Sequence, residues 1–358
     1  MGVHFEKIRI KEIKKETEDC ISILFDIPEN LTEKFAYKAG QHFTMRTNIN
    51  GEEQRRSYSL CSSPLENKWR VAIKKVDGGI FSSYANEQLK PGDTLELMPP
   101  MGHFTLSINP SNKKNYVAFA AGSGITPLLS IIKTALATEP LSSFTLIYGN
   151  RSRSSIIFKE EIEALKNKYI NRFSVVHILS REKTDAVLNQ GRIDGTKCEQ
   201  LFKNVVSKNA DAYLLCGPEE MIFTVRDWLK ENNVDENKIH FELFTTPGQK
   251  LSTTNKQLST ESSGSKSHIT VKLDGRSFSF DLAFDSEAIL DAALKQGADL
   301  PYACKGGVCC TCKAKLTKGE VDMDVHWGLE QEEIEQGFIL TCQSHPRTEF
   351  VEVDFDIK

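Results

Sequence analysis

Long apolar runs are missing from this 358-residue chain, since no stretch approaches the roughly 18 apolar residues that a membrane-spanning helix needs. The first ten residues, MGVHFEKIRI, do not have the form of a secretory signal peptide. Glu6 also breaks the myristoylation pattern that the Met1-Gly2 start would suggest. Nothing in the sequence favours nucleic-acid binding. We therefore expect a cytoplasmic protein that binds neither membranes nor nucleic acid.

Several familiar motifs are also missing. A structural zinc site would prefer two C-x2-C pairs, and only Cys309 and Cys312 form one. The full G-x-G-x-x-G fingerprint of dinucleotide-binding folds does not occur, and neither do internal repeats. Nine cysteines without an export signal argue for a reducing compartment and for metal or redox use rather than for disulfides.

What the sequence does contain is a group of cysteines near the carboxyl end, in the string CKGGVCCTC that begins at Cys304. Cys304, Cys309 and Cys312 have the C-x4-C-x2-C spacing of a plant-type [2Fe–2S] cluster, and Cys342 supplies a distant fourth thiolate. Each of the two irons takes two thiolates, so all four are needed. Cys310 lies between two ligands and is expected to point away as a small apolar group.

The length favours two or three domains. Frequent short strands separated by turn signals predict an antiparallel β-barrel over residues 1–109. Strands that alternate with helical segments predict a doubly wound parallel sheet over residues 110–245. The Ser-, Thr- and Lys-rich residues 246–267 are typical of a flexible linker, and residues 268–358 form a third compact domain with the cysteines.

The net charge of −4 conceals an asymmetry between these regions. Residues 268–358 contain 17 acidic and 9 basic side chains, a balance of −8, so the remainder of the chain carries +4. Opposite signs suit electrostatic docking of the third domain on the others or on a partner. A solvated acidic surface is the alternative interpretation.

The string RSYS on a predicted barrel strand is suited to a flavin. On an extended segment Arg56 and Tyr58 share one face, so that the guanidinium can bind a phosphate while the ring stacks on isoalloxazine. A Gly/Ser turn from Gly79 to Ser82 could cradle the pyrophosphate. An exposed strand with a cation–π pair is the alternative. The candidate flavin-binding residues are Arg56, Ser57, Tyr58, Ser59, Gly79 and Ser82.

The string GSGITP at residues 122–127 follows a buried strand and precedes a helix. Glycines let the backbone approach a phosphate closely, and the helix N-terminus adds partial positive charge. Thr126 is a candidate helix cap, and Pro127 suits the first helical turn. The sequence therefore predicts nucleotide binding by Gly122, Gly124 and Thr126, with a plain helix start as the alternative.

Three further loops follow strands of the predicted parallel sheet, at the edge where ligands collect. Arg151 follows one strand, and Ser180 with Arg181 follows the next. An arginine beside a serine can hold a 2′-phosphate, which favours NADPH over NADH. Cys216 and Gly217 end another strand and bring a thiol to the same edge, although packing alone would also explain the cysteine.

Together these motifs resemble the ferredoxin–NADP reductase superfamily, and their order is similar to that of the reductase components of bacterial oxygenases. The chain resembles in particular the reductase subunits of phenylacetyl-CoA epoxidases. That finer resemblance rests on four strings, CKGGVC at 304–309, VDMD at 321–324, GFILTCQSHP at 337–346 and FELFT at 241–245. Cys310 departs from the small residue, such as serine, that the family pattern leads us to expect.

The resemblance implies an FAD barrel, a nicotinamide-nucleotide domain and a C-terminal α+β ferredoxin domain of the β-grasp type. It implies that Arg56 holds the FAD phosphates, that Tyr58 stacks on the flavin and that Ser59 lies near its N5. By the same resemblance Cys216 lies at the hydride-transfer site and Glu242 lies near the flavin.

The implied activity is transfer of electrons from NADPH through FAD and the [2Fe–2S] cluster to a terminal oxygenase component. The oxygenase expected from the resemblance is the diiron epoxidase of phenylacetate degradation. The first alternative is a reductase of a Rieske ring-hydroxylating oxygenase or of another monooxygenase. Bound FMN in place of FAD would indicate this alternative. A redox-sensor module without turnover is an alternative from a different class.

Overall fold

Strands in the first part of the chain form an antiparallel barrel. The structure is a computed structural model that describes residues 5–244 and 265–357. The barrel elements are β1 (Glu6–Thr17), β2 (Cys20–Asp26), β3 (His42–Ile49), β4 (Glu52–Ser59), β5 (Trp69–Lys74), α1 (Ile80–Glu87) and β6 (Thr94–Leu97). The strand order is β4-β3-β6-β1-β2-β5, and an isolated bridge between Leu60 and Val71 closes the barrel. The predicted antiparallel barrel is confirmed.

Helix α1 was not predicted, because the sequence indicated only a turn at Gly79 to Ser82. In the structure Gly79 is the N-cap residue of α1, and Ser82 lies in its first turn. The Ser82 hydroxyl accepts a hydrogen bond from Val76 N at 3.1 Å. The segment therefore presents a helix N-terminus rather than an isolated turn, which is also a favourable place for an anion.

The middle of the chain folds into a parallel five-stranded sheet, in the order β11-β10-β7-β8-β9. Its elements are β7 (Asn115–Ala121), α2 (Ile125–Thr138), β8 (Ser143–Asn150), α3 (Lys159–Lys168), β9 (Phe173–Leu179), α4 (Gly195–Asn204), β10 (Ala212–Gly217), α5 (Glu219–Glu231) and β11 (Ile239–Leu243). Strands β7 and β10 are almost wholly buried, as expected where helices cover both faces of a parallel sheet. The predicted doubly wound sheet is confirmed.

Two helix starts in this sheet differ from the sequence expectation. Helix α2 begins at Ile125 with Gly124 as its cap residue, so Thr126 is not the N-cap. Helix α4 was not predicted, since its ten residues include few apolar side chains and begin with Gly195. Asp194 caps α4 by accepting a hydrogen bond from Lys197 N at 2.8 Å, a local signal that the sequence contained.

The last part of the chain forms a mixed five-stranded sheet in the order β13-β12-β18-β14-β16, with a separate β15-β17 ribbon. Its elements are β12 (Lys266–Leu273), β13 (Arg276–Ala283), α6 (Ile289–Lys295), β14 (Lys313–Lys318), β15 (Val321–Met323), α7 (Gln331–Glu335), β16 (Phe338–Leu340), β17 (Ser344–Pro346) and β18 (Phe350–Asp354). The predicted α+β β-grasp fold is confirmed. Of the predicted linker, residues 246–264 lie outside the described residues, and β12 begins at Lys266.

Candidate functional site

A cavity of about 1240 Å³ lies where the barrel, the parallel sheet and the cysteine-rich loop meet. This volume exceeds the roughly 300–1,000 Å³ of an ordinary small-molecule site, so the cavity has room for two nucleotide cofactors. Gly124 and the thiol of Cys216 are buried behind its wall. The predicted site residues that line it are Arg56, Ser57, Tyr58, Ser59, Gly79, Ser82, Gly122, Thr126, Arg151, Ser180, Arg181, Gly217, Glu242, Cys304 and Cys309.

The RSYS string lies at the end of β4 and contributes both of its faces to the cavity wall. Arg56 donates to Arg55 O at 2.6 Å and to Gln54 Oε1 at 3.1 Å, but no carboxylate among the described residues pairs with it. Burial lowers the pKa of Arg56. A half-buried cation without a counter-ion suits an anionic ligand such as the phosphates of FAD.

The aromatic ring of Tyr58 is held on the cavity wall by its contact with Phe81. The ring centroids are 5.6 Å apart and tilted by 36°. Burial raises the pKa of Tyr58, so its hydroxyl stays neutral. A ring fixed in this manner offers a planar surface on which a flat cofactor can stack.

The turn between β7 and α2 comes close to the end of β10 because it contains Gly124. A Cβ atom at this position would lie 2.1 Å from Cys216 O and 2.7 Å from Gly217 N, which no side chain tolerates. The preceding Gly122 has φ +54°, and its carbonyl accepts a hydrogen bond from Tyr148 Oη at 3.0 Å. The hydroxyl of Thr126 donates to Ser123 O at 3.0 Å. These contacts fix a turn whose backbone faces the cavity, as nucleotide-phosphate binding requires.

Arginines surround the mouth of the cavity. Arg151 and Arg181 follow β8 and β9, are exposed, and are joined by a hydrogen bond from Arg181 N to Arg151 O at 2.8 Å. Ser180 lies beside them and is also exposed. Arg192, which sequence reasoning missed, lies at the same mouth. The structure therefore brings the predicted 2′-phosphate residues together and adds a further cation.

Ser59 and Glu242 come together across the boundary between the barrel and the parallel sheet. Ser59 Oγ donates to Glu242 Oε2 at 3.1 Å, although 183 residues separate them in the chain. Burial raises the pKa of Glu242 to about 8. Cys216 is the register partner of Glu242 on the neighbouring strand, and burial raises the pKa of its thiol. The three predicted catalytic residues therefore form one group, with only the cysteine fully buried.

His42 belongs to the same group and was missed by sequence reasoning, because one histidine at the start of a strand carries no distinctive pattern. It lines the cavity, and its Nδ1 lies 3.9 Å from Glu242 Oε1. Its Nε2 is buried and has no hydrogen-bond partner among residues 5–244 and 265–357. Burial lowers the pKa of His42 to about 4, so the ring is neutral at pH 7.

The cysteine-rich loop gathers the four predicted ligands at one end of the third sheet. Cys304 and Cys309 have their sulfurs 3.1 Å apart, and Cys342 lies close enough to Cys312 to raise the pKa of its thiol. Two pairs of thiols match the need of a [2Fe–2S] cluster for two thiolates per iron. Gly306 N donates to Cys304 Sγ at 3.3 Å, as an amide would to a cluster ligand. The donor set therefore fits the cluster.

Gly307 explains how the loop is able to curl. Its φ is +71°, and a Cβ atom there would lie 2.7 Å from Val325 O. The groups that act electrostatically on Cys310 are the neighbouring Cys309, Lys313 and Glu333. Burial raises the pKa of the Cys310 thiol to about 12, which keeps it in the neutral form.

The loop is docked against the barrel through Arg55, another residue that sequence reasoning passed over. Only 5% of Arg55 is exposed. Its guanidinium donates to Leu300 O and to Asp299 Oδ1, both at 2.9 Å, and lies 4.3 Å from the centre of the Tyr302 ring. Thr44 Oγ1 and Thr311 Oγ1 are 3.1 Å apart in the same contact.

The third domain also contacts the parallel sheet, through the aromatic Trp327 between β15 and α7 and through Val308 of the loop. Trp327 packs against Phe223 and Phe241, with centroid distances of 5.7 Å to each. Val308 packs against the core between the sheet and its helices α4 and α5. Because of the two contacts, Cys304 and Cys309 face the cavity that Arg56, Tyr58 and Ser59 line.

No helix within the described residues is long and apolar enough to cross a membrane.

Three protein-family profiles match consecutive parts of the chain. They are the oxidoreductase FAD-binding domain over residues 7–106, the oxidoreductase NAD-binding domain over 119–227 and the 2Fe-2S iron-sulfur cluster binding domain over 271–347. Each match falls on one of the three sheets.

Full-length relatives share this arrangement. The chain is 44% identical to a subunit of the 1,2-phenylacetyl-CoA epoxidase of Escherichia coli K12, over 99% of the chain and 98% of the relative. It is 32% identical to the ferredoxin reductase component of 3-ketosteroid-9-alpha-monooxygenase from Rhodococcus rhodochrous, over 97% and 96%. Among solved structures, phthalate dioxygenase reductase superposes with a TM-score of 0.60 at 25% identity and covers 98% of both chains.

Proposed function

The chain belongs to the reductase components of the ferredoxin–NADP reductase superfamily, and from this we propose that its electron acceptor is the diiron oxygenase of a phenylacetyl-CoA epoxidase. The protein is an NAD(P)H-dependent oxidoreductase with FAD and a [2Fe–2S] cluster, and it delivers electrons to a separate oxygenase component. The identity of 44% over the full length to the Escherichia coli epoxidase component supports the choice of acceptor.

Each cofactor has residues suited to hold it. FAD supplies the chemistry that takes two electrons together from a nicotinamide and gives them up singly. We assign the FAD phosphates to Arg56 and to the start of α1 with Gly79 and Ser82, and the flavin ring to the face of Tyr58. Ser57 lies between Arg56 and Tyr58 on the cavity wall and completes the flavin set. We assign the cluster to Cys304, Cys309, Cys312 and Cys342.

The nicotinamide end is assigned to the turn at Gly122, Gly124 and Thr126 and to Gly217. Cys216 and Glu242 lie side by side at the ends of β10 and β11, with Ser59 hydrogen-bonded to the carboxyl group. The Ser59 hydroxyl lines the cavity and donates to Glu242 Oε2, so it connects the carboxyl group with a ligand in the cavity. Because Cys304 and Cys309 line the same cavity, the path from that ligand to the cluster is short.

We propose NADPH as the preferred electron donor, because Arg151, Ser180 and Arg181 lie together at the mouth of the cavity. An Arg181→Ala variant should lower the ratio of kcat/KM for NADPH to that for NADH by about tenfold or more, the size of one charge-assisted contact to a phosphate. The matched control is Arg153→Ala, since Arg153 is exposed nearby and pairs with Glu182 at 3.0 Å. An unchanged ratio in Arg181→Ala would assign the donor preference to other residues.

The proposed acceptor is tested by reconstitution. The purified protein should support NADPH oxidation that depends on phenylacetyl-CoA when the epoxidase oxygenase subunits are added. The oxygenase of a 3-ketosteroid monooxygenase serves as the competing acceptor, because its reductase is also a full-length relative. Faster turnover with that oxygenase would favour the alternative of another monooxygenase as acceptor.

Nine free cysteines support the further proposal that the protein works in the reducing cytoplasm.

We also propose domain limits at residues 109, 245 and 267. The three matched ranges, 7–106, 119–227 and 271–347, fall within these limits. Limited proteolysis followed by mass spectrometry tests them, since the first cuts should fall between residues 245 and 267.

A further inference from the structure

The two carboxyl oxygens of Glu242 face two residues that are paired with each other on the barrel. His42 and Ser59 are register partners in the β3–β4 ladder, so their side chains leave the sheet on the same face. Ser59 Oγ lies 3.1 Å from Oε2, and His42 Nδ1 lies 3.9 Å from Oε1. One cross-strand pair of the barrel, His42 and Ser59, therefore lies opposite the two oxygens of the Glu242 carboxyl group on the parallel sheet.

The histidine ring is held in this position by its backbone and by a glycine. His42 N donates to Met101 O at 2.9 Å, and Met101 N donates to His42 O at 3.0 Å. Next to this pair, Gly102 has φ +121°, and a Cβ atom there would lie 2.9 Å from His42 Nδ1. The glycine thus leaves the space that the Nδ1 side of the ring occupies.

The surroundings of the ring assign its proton. Nε2 is buried without a partner in the described part of the chain, and an unpaired lone pair costs less than an unpaired N–H. The proton of the neutral ring is therefore on Nδ1, the atom that faces Glu242. The titratable groups that act on the pair are His103 for the ring and Cys309 for the carboxyl group, and Glu242 in turn acts on Cys216.

We propose that His42 is a positioning residue that donates its Nδ1 proton to Glu242 Oε1 and so keeps Oε2 directed at Ser59. The separation of 3.9 Å is about 1 Å longer than a hydrogen bond, so the proposal requires the two side chains to approach by that amount. The proposal rests on the proposed function insofar as Glu242 serves the flavin, but the 3.9 Å approach of the two side chains is present without any cofactor.

Three substitutions distinguish the contribution of the Nδ1 donor from that of the rest of the ring. His42→Asn keeps a donor at the place of Nδ1, His42→Gln moves it to the place of Nε2, and His42→Leu removes it. With the flavin bound, His42→Leu should slow flavin reduction by NADPH about five- to tenfold, the size of one hydrogen bond. His42→Asn should restore most of that rate, and His42→Gln should not. His177→Leu removes a half-buried histidine outside the cavity, as a matched control.

The second readout does not depend on turnover. The infrared carbonyl band that Glu242→Gln abolishes should shift in His42→Leu and return to its position in His42→Asn, in the protein with or without FAD. In a Glu242→Leu background, His42→Leu should change the flavin reduction rate less than twofold. An unshifted band, equal rescue by asparagine and glutamine, or a full effect in the Glu242→Leu background would each overturn the proposal. If the wild type itself is not reduced by NADPH or NADH, the proposed function fails while the infrared test still decides the contact.

Discussion

The cysteine-rich loop and the cavity to which we assign flavin and nicotinamide are proposed to hold different cofactors, and they depend on different kinds of sequence information. Three of the four cluster ligands lie within nine residues, and local glycines shape the loop around them. The cavity wall instead combines β4, α1, the loops after four parallel strands and the loop itself. A short-range motif can therefore specify a metal site, whereas the cavity exists only once three sheets have packed.

The two regions also differ in how they tolerate change. In the loop, loss of one proposed ligand should remove one of the four thiolate bonds that a [2Fe–2S] cluster needs. In the cavity, each residue adds one hydrogen bond or one charge, and the effects are expected to be graded. Substitutions in the two regions test this difference, and the largest effect is expected in the loop.

Removal of Cys342 should abolish the cluster. A Cys342→Ala variant leaves one iron with a single protein thiolate, so the purified protein should contain FAD but little iron or acid-labile sulfide. Cys310→Ala is the matched control, because Cys310 lies in the same loop but outside both thiol pairs. Iron and sulfide analysis with visible spectroscopy checks both variants, and equal iron in the two would contradict the ligand assignment.

How far the sequence predicts each region follows from the same difference. The spacing from Cys304 to Cys312 predicts the cluster, and the RSYS and GSGITP strings predict cofactor contacts on two elements that the structure brings to one cavity. His42 and Arg55 could not be found in this way, since their roles depend on Glu242 and Asp299, which reach them only through packing of separate sheets. Helix α4 was missed for a local reason, the weak apolar pattern of its sequence.

Gly124→Ala should destabilise the protein by about 3 kcal/mol, because its Cβ atom would overlap the carbonyl oxygen of Cys216 at 2.1 Å. The turn would have to move away from β10, so binding of the nicotinamide nucleotide should weaken as well. Gly195→Ala provides the control, since no atom lies within 4 Å of its added Cβ. Urea denaturation and nucleotide titration measure the two effects. A loss of stability as large in Gly195→Ala would mean that the close approach is not the cause.

Arg55→Ala should loosen the contact between barrel and loop by about 1–3 kcal/mol, the range for a buried hydrogen-bonded charge. Asp299 would remain hydrated, since 77% of its side chain is exposed, and this keeps the cost moderate. Electron transfer from flavin to cluster should slow while flavin reduction by NADPH is unchanged. Arg9→Ala removes the exposed ion pair with Asp26 and should cost less than about 1 kcal/mol. Stopped-flow absorbance and hydrogen exchange at residues 299–302 distinguish the two variants.

The pH dependence of stability should report on Glu242. Its pKa is raised from the ordinary 4.5 to about 8 by burial, so the native state holds a proton that the unfolded chain releases within this interval. Stability from this group is therefore fully present below about pH 4.5 and is lost as the pH rises through 8. Glu242→Gln should flatten that loss, and the exposed Glu12 on β1, changed to glutamine, should not.

The unfolding temperature, detected by the appearance of FAD fluorescence, is compared at pH 5.5 and pH 9 for each variant. The difference between variants isolates the contribution of Glu242, because all other titratable groups are the same in both. Each unit of pKa shift corresponds to about 1.4 kcal/mol of stability. If the wild type loses stability between the two pH values and Glu242→Gln does not, the cavity contains a carboxyl group whose ionisation destabilises the fold unless a partner compensates the charge. In the loop, the irons of the proposed cluster would compensate the charge of the thiolates, so no such pH dependence is expected there. Identical pH profiles for wild type and Glu242→Gln would mean that Glu242 is ionised in the folded protein, and the contrast between the two regions would then be confined to their ligands.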